Sequence, residues 1–205
     1  MKEFRTLNFD VHADNNEKNG NYISGRAIVY DSETDIGEFR EIIERGALDE
    51  TNLKDVPFFV NHDVGMIPLA RSRNNNENST LQLIHDEEGL AIRANLDTEN
   101  NEDARALYSA ATRGDIDGMS FMFEVTPDGE EWGEWEAEKP LRRIKNVKRV
   151  FEVSAVTFPA YETTNLSVDT RSASDVLDNA RTAMDIERKR EEHRKELAEK
   201  LRKAR

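Results

Sequence analysis

Residues 150–158 read VFEVSAVTF, an apolar run broken by a single charge, Glu152. Its valines and phenylalanines predict a buried strand. Period-two alternation sets Glu152 on one face with Val150, Ser154, Val156 and Phe158. An ionised carboxylate on such a face costs several kcal/mol unless it is paired. Glu152 therefore has three open placements: an exposed sheet face, an arginine partner such as Arg142, Arg143 or Arg149, or an imidazolium supplied from elsewhere.

Outward from this run, short β-rich stretches alternate with turn residues. Strands are expected at 22–30, 56–61, 80–85, 89–96, 120–126 and 141–147, and residues 4–11 are expected to form a hairpin with 22–30 across Lys18-Asn19-Gly20-Asn21. A second hairpin is expected around Asp86-Glu87-Glu88-Gly89. Two helices interrupt the pattern, a short one at 39–45 before Gly46 and a longer one at 101–113. The longer one carries Ala104, Leu107, Tyr108 and Ala111 on one face and stops at Gly114. No internal repeat and no regular strand–helix alternation is present, so the expected class is mainly β (α+β), a β-barrel with packed helices.

After Val168 the composition changes. Residues 171–205 carry 11 Lys and Arg against 8 Asp and Glu, which leaves a balance of −16 on residues 1–170. A charged helix is expected from about 174 to 203, capped by Ser174 or Asp175. Its thin apolar stripe (Val176, Leu177, Ala180, Met184, Leu197, Leu201) is interrupted by the polar residues 187–196. That pattern suits a solvated tail or a docking helix for a partner. The expected organisation is one domain at 1–168, then a linker and helical tail at 169–205.

The 205 residues carry a net charge of −13 with a sequence pI near 4.9, which disfavours nucleic acid as a ligand. No cysteine is present, so disulfides, thiolate metal sites and a cysteine nucleophile are excluded. The longest uncharged apolar runs, 56–60 and 153–158, are too short to span a bilayer, and the start MKEFRTLNFD lacks the apolar stretch of a secretory signal. A cytosolic protein without membrane contact or cofactor is expected.

Three residues stand in settings where a polar group is costly. In VPFFVNHD, strand alternation would put His62 on the face of Val56, Phe58 and Val60; the other histidines, His12, His85 and His193, lie in polar surroundings. In GDIDGMSFMF, Ser120 follows Gly118 on the face opposite Met119 and Phe121. Glu152 is the third. Each has a plain structural alternative: a satisfied core histidine, a strand serine bonded to a neighbouring strand, and the arginine-paired glutamate already described. Together they are the components of serine hydrolysis, in which imidazole takes the hydroxyl proton and a carboxylate orients the imidazole. A metal hydrolase using His12, His62 and His85 is disfavoured because no HExxH or similar ligand spacing occurs.

Seven stretches in order carry a family resemblance over about residues 4–168: GRAIVYD (25–31), FREIIERGAL (39–48), VNHD (60–63), PLARS (68–72), EGLAIRANL (88–96), GDIDGMSFMF (114–123) and EVSAVTFPAYETT (152–164). The chain resembles the prohead serine proteases, or capsid-maturation proteases, of tailed phages. The resemblance implies a fold similar to the herpesvirus maturation proteases, a barrel surrounded by helices, with Ser120 as nucleophile and His62 as base. Those relatives use a second histidine as third member; this chain has none between His85 and His193, so the EVS motif assigns Glu152, with Asp63, Asp115 and Asp117 as competitors. Scaffold and the major capsid protein precursor are the implied substrates, cut inside the immature shell in the host cytoplasm. The tail would co-assemble with scaffold and be shed by self-cleavage at 168–174, and the herpesvirus enzymes suggest a homodimer. The rival expectation is a non-catalytic capsid or scaffold assembly protein on the same barrel.

Overall fold

The computed structural model describes residues 2–8, 11–16, 20–157 and 172–203. In chain order the strands begin with β1 (Lys2–Asn8), β2 (His12–Asn16), β3 (Gly20–Val29), β4 (Thr34–Asp35), β5 (Arg40–Ile43), β6 (Asp55–Val60) and β7 (Ala70–Arg73). A hairpin follows, β8 (Leu81–Asp86) and β9 (Gly89–Asn95), then helix α1 (Glu102–Arg113). The remainder is β10 (Gly118–Val125), β11 (Glu130–Gly133), β12 (Leu141–Ile144), β13 (Val147–Val156) and helix α2 (Ala173–Lys203).

The fold is mainly β with two helices, but the expected barrel is not what the pairing gives. Among the described residues the strands fall into three sheets, ordered β1-β10-β13-β6-β7, β11-β12-β5-β4 and β2-β3-β9-β8, with no closed hydrogen-bonded ring. One contiguous core fills the space between them, from Phe58, Phe121, Phe123 and Val153 of the first sheet to Ile23, Leu81, Leu90 and Ile92 of the third.

The five-stranded sheet positions the site. Of the apolar segment at 150–158, residues 150–156 enter it within β13, antiparallel to β10 and parallel to β6, and residue 158 lies outside the described residues. The register sets Ser120 opposite Ser154, and Ser154 beside Phe59. One face of β13 therefore carries Val153 and Ala155 into the core, while Glu152 and Ser154 point the other way.

Other expectations are corrected by long-range pairing. Residues 4–11 do not form a hairpin with 22–30: β1 pairs with β10, and β2 is the strand that folds back on β3. Residues 39–45 are not helical, because Arg40–Ile43 is strand β5, parallel to β12, with Glu41 and Ile43 buried in alternation. The 81–95 hairpin forms as expected, and Gly89 is obligatory there: at φ 141° its absent Cβ would lie 2.0 Å from the Ile28 carbonyl oxygen. Helix α1 is capped by Asn101, whose side chain accepts from the Asp103 and Ala104 amides, and ends at Gly114 in left-handed geometry.

Helix α2 begins with a capping box on Ser172, not Ser174: Ser172 Oγ accepts from the Asp175 amide, and Asp175 Oδ2 accepts from the Ser172 amide and hydroxyl. Its first turns are not solvated, since Val176 and Leu177 are buried with Phe39 and packed by Trp132 and Trp135. Beyond them, residues 181–196 are exposed throughout. The expected boundary near 168 and the proposed cleavage segment fall mostly in 158–171, outside the described residues.

A buried charge cluster joins the first sheet to the second. Arg142 of β12 is fully buried and donates to Glu3 of β1 at 2.5 and 2.9 Å, to Glu41 of β5 at 2.8 Å and to Glu130 of β11 at 2.8 Å. Arg5 of β1 donates to the same Glu3 and Glu41 carboxylates. Burial alone would raise the Glu3 pKa, but the guanidinium groups of Arg5 and Arg142 outweigh it and hold the carboxyl below its ordinary value of 4.5. The resulting stabilisation is complete above that ordinary value and is lost as pH falls through the lowered folded value. Arg142→Met should strand buried carboxylates and cost about 3–5 kcal/mol in urea unfolding at neutral pH. The deficit should shrink in acid, below about pH 4.5, as Glu3 is protonated.

Candidate active site

The site begins where β6 stops. Val60 is the last strand residue, and the next two adopt positive φ, 49° at Asn61 and 59° at His62, while the Asp63 amide bonds back to the Val60 carbonyl at 3.1 Å. Asparagine tolerates this left-handed backbone and histidine does so less readily, so the turn holds strain on the order of 1–2 kcal/mol. It is clamped to the end of β13. The Asn61 amide donates to the Ala155 carbonyl at 2.9 Å, and Asn61 Oδ1 accepts from the Thr157 amide and hydroxyl at 3.0 and 3.2 Å.

This turn decides where His62 goes. Val56 and Phe58 are fully buried on the core face, and a continuing strand would have placed His62 there too. His62 is therefore not the end of that apolar row. The reversal carries its ring to the opposite face, where Nδ1 lies 2.6 Å from Glu152 Oε1. The Phe4 ring meets the imidazole edge-on, centroids 4.6 Å apart. Because a carboxylate accepts, Nδ1 carries the proton in this pair, which leaves Nε2 of a neutral ring as the basic nitrogen.

Glu152 is 2% exposed and has donors on both oxygens: His62 on Oε1, and Ser154 Oγ, 2.6 Å from Oε2. The alternative arginine partners lie elsewhere, Arg142 in the buried cluster, Arg143 against Glu44 and Arg149 over the Phe151 ring. Ser120 is fully buried on β10, directly across from Ser154, and its hydroxyl donates to the Arg5 carbonyl of β1 at 2.8 Å. That bond is the neighbouring-strand contact of an ordinary strand serine.

The competing carboxylates stand apart. Asp63, Asp115 and Asp117 are exposed; Asp63 accepts from the Gly65 amide, and Asp115 pairs with Arg113. His85 bonds the Tyr30 hydroxyl at 2.7 Å, and His12 and His193 are exposed. Among the described residues, no group of three or more His, Cys, Asp and Glu could hold a metal ion, and no helix is long and apolar enough to cross a membrane. Beside the His62 turn lies a mostly apolar cleft of about 480 Å³, walled by Val60, Met66, Leu107, Ala110 and Ile116.

Residues 8–179 match the family described as caudovirus prohead serine protease. The chain belongs to that family. It is 28% identical over 192 residues to the prohead protease of Enterobacteria phage HK97, an alignment covering 89% of this chain and 74% of that protein. No solved structure matches the chain. Family membership makes it a serine protease of the phage prohead, concerned with capsid maturation.

Two residues beside this candidate site were not singled out by sequence reading. Asn61 in VNHD is the residue type that permits the turn, and Ser154 in EVS shares the Glu152 face. Asn61→Ala removes both acceptor contacts to Thr157 and leaves a non-glycine residue in left-handed geometry; a loss of about 2 kcal/mol is expected by urea unfolding. Asn61→Gly, which relieves the backbone, should recover about half of it.

Proposed function

We propose that Ser120 is the nucleophile, His62 the general base and acid, and Glu152 the carboxylate that orients His62. The observation that carries this reading is the 2.6 Å bond from His62 Nδ1 to Glu152, made possible by a strained turn at the end of β6. Strain held at one histidine, and aimed at a buried carboxylate, is costly unless that histidine is used.

In the proposed cycle His62 Nε2 takes the Ser120 proton as Oγ adds to the scissile carbonyl carbon. The tetrahedral intermediate collapses, the C–N bond breaks, and His62 returns its proton to the leaving amine. Water then attacks the acyl ester; His62 takes its proton and gives it back to Ser120 Oγ as the ester bond breaks. Glu152 remains ionised and stabilises each imidazolium. Backbone amides near Ser120, or in the chain after Glu152, are the proposed oxyanion donors.

The proposed substrates are scaffold and the scaffold-like segment of the major capsid protein precursor, cut inside the immature shell in the host cytoplasm. Self-cleavage at 168–174 separates a 1–168 peptidase domain from the tail. Helix α2 supports a packaging role: past its docked first turns it is exposed and carries pairs such as Arg188–Asp185 and Lys195–Glu191. A homodimer belongs to the same proposal, and it rests on family resemblance.

One observation favours the rival reading of a non-catalytic assembly protein, the Ser120 hydroxyl's bond to the Arg5 carbonyl. Self-processing of the purified full chain, followed on a denaturing gel, separates the two. Wild type should convert to a shorter product, Ser120→Ala and His62→Ala should not, and Glu152→Gln should be slower by about 1,000- to 10,000-fold. Equal processing of wild type and Ser120→Ala would refute the catalytic reading.

A further inference from the structure

Ser154 is fully buried in the middle of β13 and sits across the sheet from Ser120. Two serines face each other there, and their hydroxyl protons are committed differently. Ser120 donates to a strand carbonyl, as most buried serines donate to backbone. Ser154 instead donates to Glu152 Oε2 at 2.6 Å, a short charge-assisted bond. The other carboxylate oxygen, Oε1, is the one that meets His62 Nδ1.

We infer that Ser154 is a positioning residue of the site, fixing the Glu152 carboxylate so that Oε1 holds His62 with Nε2 free for Ser120. This inference rests on the catalytic reading above and adds a fourth member to it. A glutamate side chain has three rotatable bonds, and a single contact to His62 leaves the carboxylate free to swing about that contact. Anchoring Oε2 from the same strand removes that freedom. The hydroxyl also keeps the buried carboxylate stabilised as an anion when His62 is neutral, the state in which the ring must accept a proton. Ser154 touches neither substrate nor reacting atoms; it acts through Glu152, as outer hydrogen-bond partners act through the groups they orient.

The test measures covalent labelling of the purified full chain by a fluorophosphonate, with the maximal labelling rate and the half-saturating reagent concentration determined separately. Wild type should label and Ser120→Ala should not; if both label alike, or wild type does not label, the catalytic reading itself fails. Given a labelling wild type, Ser154→Ala should lower the maximal rate about 10- to 100-fold with the half-saturating concentration unchanged. Ser154→Thr, which keeps the hydroxyl, should restore the rate to within about three-fold of wild type. A Ser154→Ala protein that labels as fast as wild type overturns the inference and leaves the catalytic reading standing, as does a Thr variant no better than Ala. If the Ala variant does not fold, Ser154→Cys keeps the volume with a weak donor; slowed labelling supports the role and unchanged labelling overturns it.

Discussion

A buried carboxylate on the face of β13 turned away from the core needs hydrogen-bond donors on both its oxygens, and much of the local structure answers that requirement. Glu152 stands on an apolar stretch of β13, and Arg142, Arg143 and Arg149 have other contacts. Its donors come from two directions, Ser154 on its own strand and His62 from the turn beyond β6. The second donor requires a chain reversal, because an uninterrupted β6 would send the histidine into the core. Two consecutive left-handed residues supply it, and the contacts from Asn61 to Ala155 and Thr157 hold it against β13. The parallel pairing of β6 with β13 thus sets both the carboxylate and the histidine that meets it.

The opposite face of the same sheet solves a different charge problem. At its β1 edge, Glu3 and Arg5 point toward the second sheet and join Arg142, Glu41 and Glu130 in a cluster of two guanidinium groups and three carboxylates. Such clusters add less net stability than their hydrogen bonds suggest, because desolvation offsets the attraction. Their effect on register is stronger, since a slip of β1 by one residue would turn Glu3 and Arg5 to the other face and take Glu3 from Arg142. That register places Arg5, whose carbonyl holds the Ser120 hydroxyl, beside β10. The two faces are therefore coupled through β1.

Local periodicity was readable where the interactions are local. The 81–95 hairpin, α1 with its glycine stop and the strand over residues 150–156 all follow from neighbouring residues. Residues 39–45 were misread because Phe39, Ile42 and Ile43 fit helical spacing, whereas the partner that makes them a strand, β12, lies about a hundred residues away. Barrel closure failed for the same reason, being a property of distant pairing. His62, Ser120 and Glu152 were each identifiable as polar groups in costly settings, and the structure does bring His62 to Glu152. The route was not legible: alternation was carried through Asn61, where an asparagine ahead of His-Asp after a strand is itself a turn signature. Arg5, Glu41 and Arg142 give no local sign of their burial, because charged strand residues become a cluster only when three strands converge.

The central claim, that His62 is held by Glu152 through a protonated Nδ1, can be measured directly by proton and nitrogen NMR of the histidine-labelled full chain. A far-downfield, slowly exchanging Nδ1 proton assigned to His62 is expected in wild type, retained in Ser120→Ala and absent in Glu152→Leu. A His62 ring whose protons exchange freely with water in wild type, or whose signal survives the loss of Glu152, would contradict the account.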